Sequence, residues 1–246
     1  MSFRLPTPVL LTLIGLAFAT LIGLGAWQVQ RAGWKADLIA SRNAQLAAPP
    51  LSADGASALP PASLDYRVVA LAGRWDDQHV LTLANKARYG MKGENVVQPF
   101  ILASGDAVLV DLGWYPVEQR EAALARLKQA NATPVAGLAR YVEGLSASRT
   151  AAGTWTGIAP DSMATGLPYR VLPWFVVEGQ LVPENAPFPS TFPMQGFERY
   201  TSDTPHVEYA LTWFGLAAAL VAITTLRFIV EPRRARARLE AAPPQH

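Results

Sequence analysis

Two long apolar runs, one towards each end of the chain, constrain this sequence more than any other feature. The first is Val9 to Ala26, VLLTLIGLAFATLIGLGA, and carries no charge. The second is Val207 to Val230, with Glu208 and Arg227 near its ends. Each is long enough to cross a hydrocarbon core as a helix, which takes about 20 residues. The two flanking charges can snorkel to the headgroups. Trp27 and Tyr209 fall at the boundaries, where amphipathic rings prefer to sit. A cleaved signal peptide fits the first run poorly. Its n-region has one Arg, no A-x-A site follows, and the run exceeds a usual h-region.

The expected organisation is therefore a short segment 1–7, a membrane helix 8–27, an external domain 28–206, a second membrane helix 207–230 and a basic tail 231–246. Arg233, Arg234, Arg236 and Arg238 crowd behind the second run and Arg4 precedes the first. The positive-inside rule then puts both termini in the cytoplasm. Arg31 and Lys35 point the other way, but a long translocated domain overrides local charge. The tail arginines can also touch anionic lipid of the bilayer. The segment before the first run is short and poor in Arg and Ser, unlike a mitochondrial presequence. The expectation is a bacterial inner membrane with the domain in the periplasm.

Composition removes several classes of function. The net charge is +2, too small for a field that would attract nucleic acid, and no RNA-binding or zinc-finger spacing is present. The absence of Cys excludes disulfides, thiolate catalysis and cysteine-bound metals. The signatures H-E-x-x-H, G-x-S-x-G and the Walker loop are also missing, so no enzyme is expected. Asp76 and Asp77 lie in an expected turn, where Asp is common for backbone reasons. His79 beside them reads as an exposed turn or strand-start residue.

Between the runs, QVQRAGWKADLIASRNAQLA reads as the first helix continuing out of the membrane. Residues 46–64, rich in Ala, Pro and Ser, read as a flexible linker with little core-forming content. Four short segments rich in β-branched or aromatic residues then read as strands: YRVVALAGRW, HVLTLANKAR, NVVQPFILA and AVLVDLGWY. DDQ before His79 and ASGD before Ala107 look like hairpin turns. Residues 116–132 form the clearest helix, with Pro116 in its first turn and Ala123, Leu124 and Leu127 facing a core. PVAGLARYVEG is a further strand, and PDSMATGL a short helix capped by Asp161 or Ser162. RVLPWFVVEGQLVP is a strand or a hairpin about Gly179, and 183–205 is extended. The fold class is a β-rich α+β domain, an antiparallel sheet or partly closed barrel, between two transmembrane helices.

Two patterns carry candidate function. His206, Tyr209 and Trp213 share a helix face at i, i+3 and i+7. An imidazole over aromatic rings at a membrane surface can ligate a haem iron; an interfacial His within an aromatic belt looks the same. Gly15, Ala19, Gly23, Trp27 and Arg31 recur every four residues, and small residues at that spacing let helices approach in lipid. They serve either packing on the chain's own second helix, through Gly215 and Ala219, or docking on another membrane protein.

The ends of the chain also resemble one known family. LGAWQVQRAGWK, through Leu24, Gly25, Trp27, Gln28, Arg31, Trp34 and Lys35, is similar to the N-terminal motif of the surfeit locus protein 1 family. HVEYALTW, through His206, Tyr209, Ala210, Thr212 and Trp213, is similar to its C-terminal motif. VVQPFILASGDAVLVDLGWYP and APDSMATGLPYRVLP resemble stretches between, so the likeness spans about residues 20 to 228. Asp111 and Leu112 stand where the family has Asn-Arg, and Thr204 and Pro205 where it has Asn-Asn. The resemblance implies an assembly factor, a chaperone for cytochrome c oxidase. It implies action on the catalytic subunit at haem a insertion, alongside haem a synthase and other assembly factors. It places transient haem a contact on His206 as axial ligand; Tyr209 and Trp213 share its helix face, and Arg31 or Lys35 can pair with the anionic propionates. Gly15, Ala19, Gly23, Trp27 and Gln28 are then candidate partner contacts.

Overall fold

A computed structural model describes residues 6–84, 86–130, 134–183, 186–201 and 204–240. Arg4, His246, residues 131 and 132 of the expected helix and the outer ends of the two terminal segments lie outside the described residues. The chain forms two compact units, residues 1–39 with 202–246, and residues 40–201.

In the first unit, helix α1 (Thr7–Ala47) supplies its membrane part and α5 (His206–Thr225) returns. Both are long and apolar enough to cross a membrane. At 41 residues, α1 is about 60 Å long, so it runs well beyond any bilayer core. Pro205 occupies the N-cap of α5, so the helix starts at His206. After α5 the helix widens for one π turn, Leu226–Val230, and continues as α6 (Glu231–Glu240) with Arg233, Arg234 and Arg236 along it.

The second unit is built on one seven-stranded sheet, ordered β1-β6-β7-β5-β4-β2 with β3 also on β4. Its strands are β1 (Val68–Leu71), β2 (Gly73–Trp75), β3 (Leu81–Leu83), β4 (Gly93–Leu102), β5 (Ala107–Pro116), β6 (Val135–Arg140) and β7 (Val171–Glu178). YRVVALAGRW is thus two strands, not one, and they pair at opposite ends of this order. Laid flat, six strands would separate those edges by more than 20 Å, yet Ala72 alone joins β1 to β2. The sheet must curl until its edges meet, which makes it a half-barrel. All pairs are antiparallel except β5 with β7.

Pro99 explains a second departure. It sits inside β4, and its carbonyl faces the β2–β3 edge, where it accepts the Asp76 N–H at 3.0 Å. Its ring nitrogen faces the same edge and has no proton to donate. The edge strand therefore breaks there into β2 and β3, and DDQ bridges two collinear strands instead of turning a hairpin. ASGD does turn a hairpin, β4 to β5, with Gly105 at φ +89°. HVLTLANKAR is strand only over Leu81–Leu83. Gly179, at φ +110°, ends β7, and the chain beyond makes a parallel bridge, Leu181 with Phe197, instead of a hairpin.

β4 and β5 are buried along all ten residues because both faces of the sheet are covered. One face packs Phe100, Val110, Leu112 and Trp174 against α3 (Arg120–Ala130), through Ala123, Leu127 and the half-buried Leu124. Pro116 ends β5 and a single 3₁₀ turn precedes α3. The other face packs Val97, Leu109 and Val171 against Met163 of α4 (Pro160–Met163). Ala159 is the N-cap of α4 and contributes no side-chain bond, so neither Asp161 nor Ser162 caps it. The expectation of a linker at 46–64 is corrected as well. Ser52 caps α2 (Ala53–Ser57), Ala56 and Leu64 are 1% exposed in the main core, and Leu51 pairs with Val69. Small apolar residues there fill the space above β1.

Candidate functional site

The boundary histidine is held by the other end of the chain. His206 Nδ1 lies 2.9 Å from Gln28 Oε1, joining residues 178 positions apart. The less exposed positions of α5 recur at His206, Ala210, Trp213, Ala217, Leu220 and Thr224, alternating four and three apart. On α1 they recur at Ile14, Leu21, Leu24, Gly25, Gln28, Ala32 and Lys35. A repeat near 3.5 keeps a seam of each helix facing its partner. Gln28 and His206 are the polar pair of that seam.

Gly25 is the buried residue of α1, and a Cβ there would overlap the Phe214 ring. A long helical side chain leans back towards its own N-terminus, so Phe214 crosses α1 nearer the level of Ala210. Further along, Leu11, Ile14, Gly15 and Phe18 line a groove with Leu220 and Val221, so the helices run antiparallel. The expected face of Gly215 and Ala219 is not the one used. Nothing lies within 4 Å of a Cβ built at Gly15, Gly23 or Gly215, and Ala19 is exposed.

The remaining candidates divide between seam and surface. Trp213 is half-buried in the seam, while Tyr209 is 50% exposed on its flank. Trp27 and Trp34 are exposed, and the Arg31 guanidinium lies 4.2 Å from the Trp34 ring centre. Together with Gln30 they form a shallow groove of about 240 Å³. The structure thus brings His206 to Gln28, which spacing within either motif could not show. The signal was present: each is the polar residue that closes an apolar run.

The β unit keeps its own polar groups satisfied. Burial pushes the Asp111 carboxyl above its ordinary value, against hydrogen bonds from Asn95 Nδ2 to both its oxygens at 3.0 Å and from the Gly113 N–H. Leu112 is the extra residue of a bulge opposite Val96 and Val97, so the Asp111-Leu112 departure falls on a structural kink. Glu94 accepts from Tyr115 Oη and Arg120 Nε, both at 2.9 Å, and burial with that carboxylate pushes the Tyr115 phenol up to about 12. Asp76 is buried, not merely a turn residue. It accepts from the Gln78 N–H, as a turn Asp does, but also from Tyr169 Oη, and it lies 2.7 Å from His79 Nδ1. Burial pushes its carboxyl up, and those hydrogen bonds outweigh it and hold the group low. Among the described residues, no group of three His, Cys, Asp or Glu is placed to hold a metal ion.

Comparison with known proteins gives one consistent answer. The model of the SURF1 family matches residues 15–218. A SURF1-like protein of Monosiga brevicollis is 30% identical over 91% of this chain and 88% of its own length. A SURF1-like protein of Drosophila melanogaster is 30% identical over 82% and 71%. Surfeit locus protein 1 of Homo sapiens is 28% identical over 81% and 71%. The family match covers most of both helices and the whole half-barrel, and with it the two motifs that Gln28 and His206 join: the chain belongs to the SURF1 family.

Proposed function

We propose that this chain is a non-enzymatic assembly factor, a chaperone for cytochrome c oxidase. It receives haem a at the outer end of its helix pair and passes it towards the catalytic subunit. The family is generally one of oxidase assembly factors. The observation that carries the haem reading is the 2.9 Å contact of His206 Nδ1 with Gln28 Oε1. A carboxamide oxygen only accepts, so in the neutral ring Nδ1 is the protonated nitrogen and Nε2 keeps its lone pair. That is the form of histidine that ligates a metal, oriented by the hydrogen bond at its other nitrogen. Trp213 and Tyr209 supply apolar ring surface beside it, and Arg31 or Lys35 the cationic partners for propionates. A single axial ligand also suits transfer, since a closed two-ligand site would release its cargo slowly. The cluster Arg233, Arg234 and Arg236 supports termini on the inner side of the membrane; a bacterial inner membrane and haem a synthase as neighbour belong to the same reading.

The test is the absorption spectrum of the purified protein titrated with haem a. His206→Ala abolishes the axial-ligand spectrum. Gln28→Ala keeps the ligand but weakens affinity about tenfold, the usual cost of losing an orienting partner. Identical spectra and affinities in all three proteins would remove the ligand role.

A second reading, a scaffold that binds no cofactor, draws on the exposed Ala19 and Gly23, with Gly15 at the groove between the helices. On it, Gly23→Leu disrupts copurification with the catalytic subunit while His206→Ala leaves it intact.

A further inference from the structure

The loop between β3 and β4 carries a feature that the haem reading leaves unused. Arg88 and Met91 close a two-residue hairpin, with backbone bonds of 3.1 and 2.9 Å between them. Tyr89 and Gly90 form its tip, at φ +52° and +74°. Two left-handed residues in a row make the tight turn that Asn-Gly adopts without strain. An aromatic residue in the first place is strained, and strained residues of this kind cluster at functional positions. Tyr89 is 61% exposed, so most of its ring is offered outward.

Tyr89 stands edge-on against Phe188, with centroids 5.2 Å apart, and Phe188 is itself 52% exposed. The buried Trp114 supports Tyr89 from below at 6.5 Å. Around this aromatic pair the same loop supplies Lys86, Arg88 and Lys92 and no carboxylate between Ala84 and Gly93. The charges of Arg88 and Lys86 reach Asp111, which is buried and already bonded to Asn95. The tip is therefore aromatic, with the exposed Arg88 and Lys92 beside it on opposite faces of the hairpin and the half-buried Lys86 behind, its Nζ donating to the Thr156 carbonyl at 3.3 Å.

We propose that this hairpin docks the β unit on an anionic bilayer surface, with Tyr89 and Phe188 entering the headgroup layer and Lys86, Arg88 and Lys92 meeting lipid phosphates. Rings with a polar tip settle at that depth, and clustered cations gain from a negative leaflet. At both ends the chain of the β unit passes into a helix long and apolar enough to cross a membrane. A tether of that kind makes lipid the surface at highest effective concentration, so modest affinity suffices.

The chain has no cysteine, so an environment-sensitive dye on Ala87→Cys reports this loop alone. The same dye on Ala103→Cys, in the exposed turn between β4 and β5, is the control. The full-length protein is reconstituted in nanodiscs of phosphatidylcholine, with or without phosphatidylglycerol, containing a headgroup quencher. The expected result is quenching at residue 87 about threefold stronger with the anionic lipid, and unchanged at residue 103. Lys86→Gln, Arg88→Gln and Lys92→Gln together remove that gain. Tyr89→Asn, which relieves the turn and keeps the charge, lowers it. Equal quenching in the two lipids, or at the two sites, overturns the proposal. So does protection of residue 87 only after the oxidase catalytic subunit is added, which would make the patch a protein-binding face.

Discussion

The two units bury their side chains in opposite ways. In the half-barrel, β4 and β5 are buried from end to end, and Trp114, Tyr115 and Phe100 are at most 1% exposed. In the helix pair, burial falls on Gly25, Ala210 and Ala217. The solvent accounts for the difference. Water drives large apolar side chains into the half-barrel core. A bilayer offers no such drive between helices, so a pair must rely on close contact of small residues and an interhelical hydrogen bond. Function that needs a reversible contact is therefore better placed at Gln28 and His206 than inside the barrel.

The sharpest way to break this contrast is to damage the barrel core and watch the helices. Trp114→Ala removes an indole packed on Phe192 and a hydrogen bond from its Nε1 to the Lys86 carbonyl at 2.6 Å. The expected loss is about 4 kcal/mol of barrel stability, read by chemical unfolding. Gly93→Ala acts on the same place, because its Cβ would overlap the Trp114 ring. The helix contact is expected to survive both, as a Gln28→Cys, His206→Cys pair that still cross-links.

A smaller effect comes from pH. Burial raises the Glu178 carboxyl from 4.5 to about 7, although Gln195 Nε2 donates to it at 2.7 Å and works against the rise. Above its unfolded value the unfolded chain gives up the proton and the folded chain keeps it. Barrel stability therefore falls as pH rises from 4.5 to about 7, and the loss is complete beyond that. Because Glu178 is only half-buried, the cost is discounted to ~2 kcal/mol. Glu178→Gln is expected to flatten this part of the stability–pH curve and to leave the helix contact unaffected.

What the sequence displayed, and what it hid, follows the same division. Apolar runs and alternating strands are local patterns, so both membrane helices, the β4–β5 hairpin and the core face of α3 could be read directly. The curl of the sheet was hidden, because only the pairing of β1 and β2 with distant partners reveals it. Pro99 was visible, but its effect falls on a neighbouring strand. The linker reading failed because Ala56 and Leu64 are buried by what lies beneath them, not by any pattern of their own. In the site, the residues of both motifs were legible and their meeting was not. The small-residue stripe drew attention to Gly15 and Gly23, whereas Gly25, one step off that stripe, makes the contact.

The mildest change tests the helix pair itself. Gln28→Leu removes the acceptor from His206 and keeps the side-chain bulk. Interhelical hydrogen bonds in bilayers contribute about 0.6 kcal/mol on average, because polar groups find other partners when the helices part. The expected outcome is a helix contact weakened by roughly threefold and a barrel melting temperature that does not move. Gly25→Leu, which drives a side chain into Phe214, should weaken the same contact more. If Gln28→Leu instead lowered the barrel's melting temperature, the two units would not be energetically separate. A site poised at the polar seam of the helix pair would then be a support for the fold. If only the helix contact yields, the bond is free to serve a ligand, because almost nothing else depends on it.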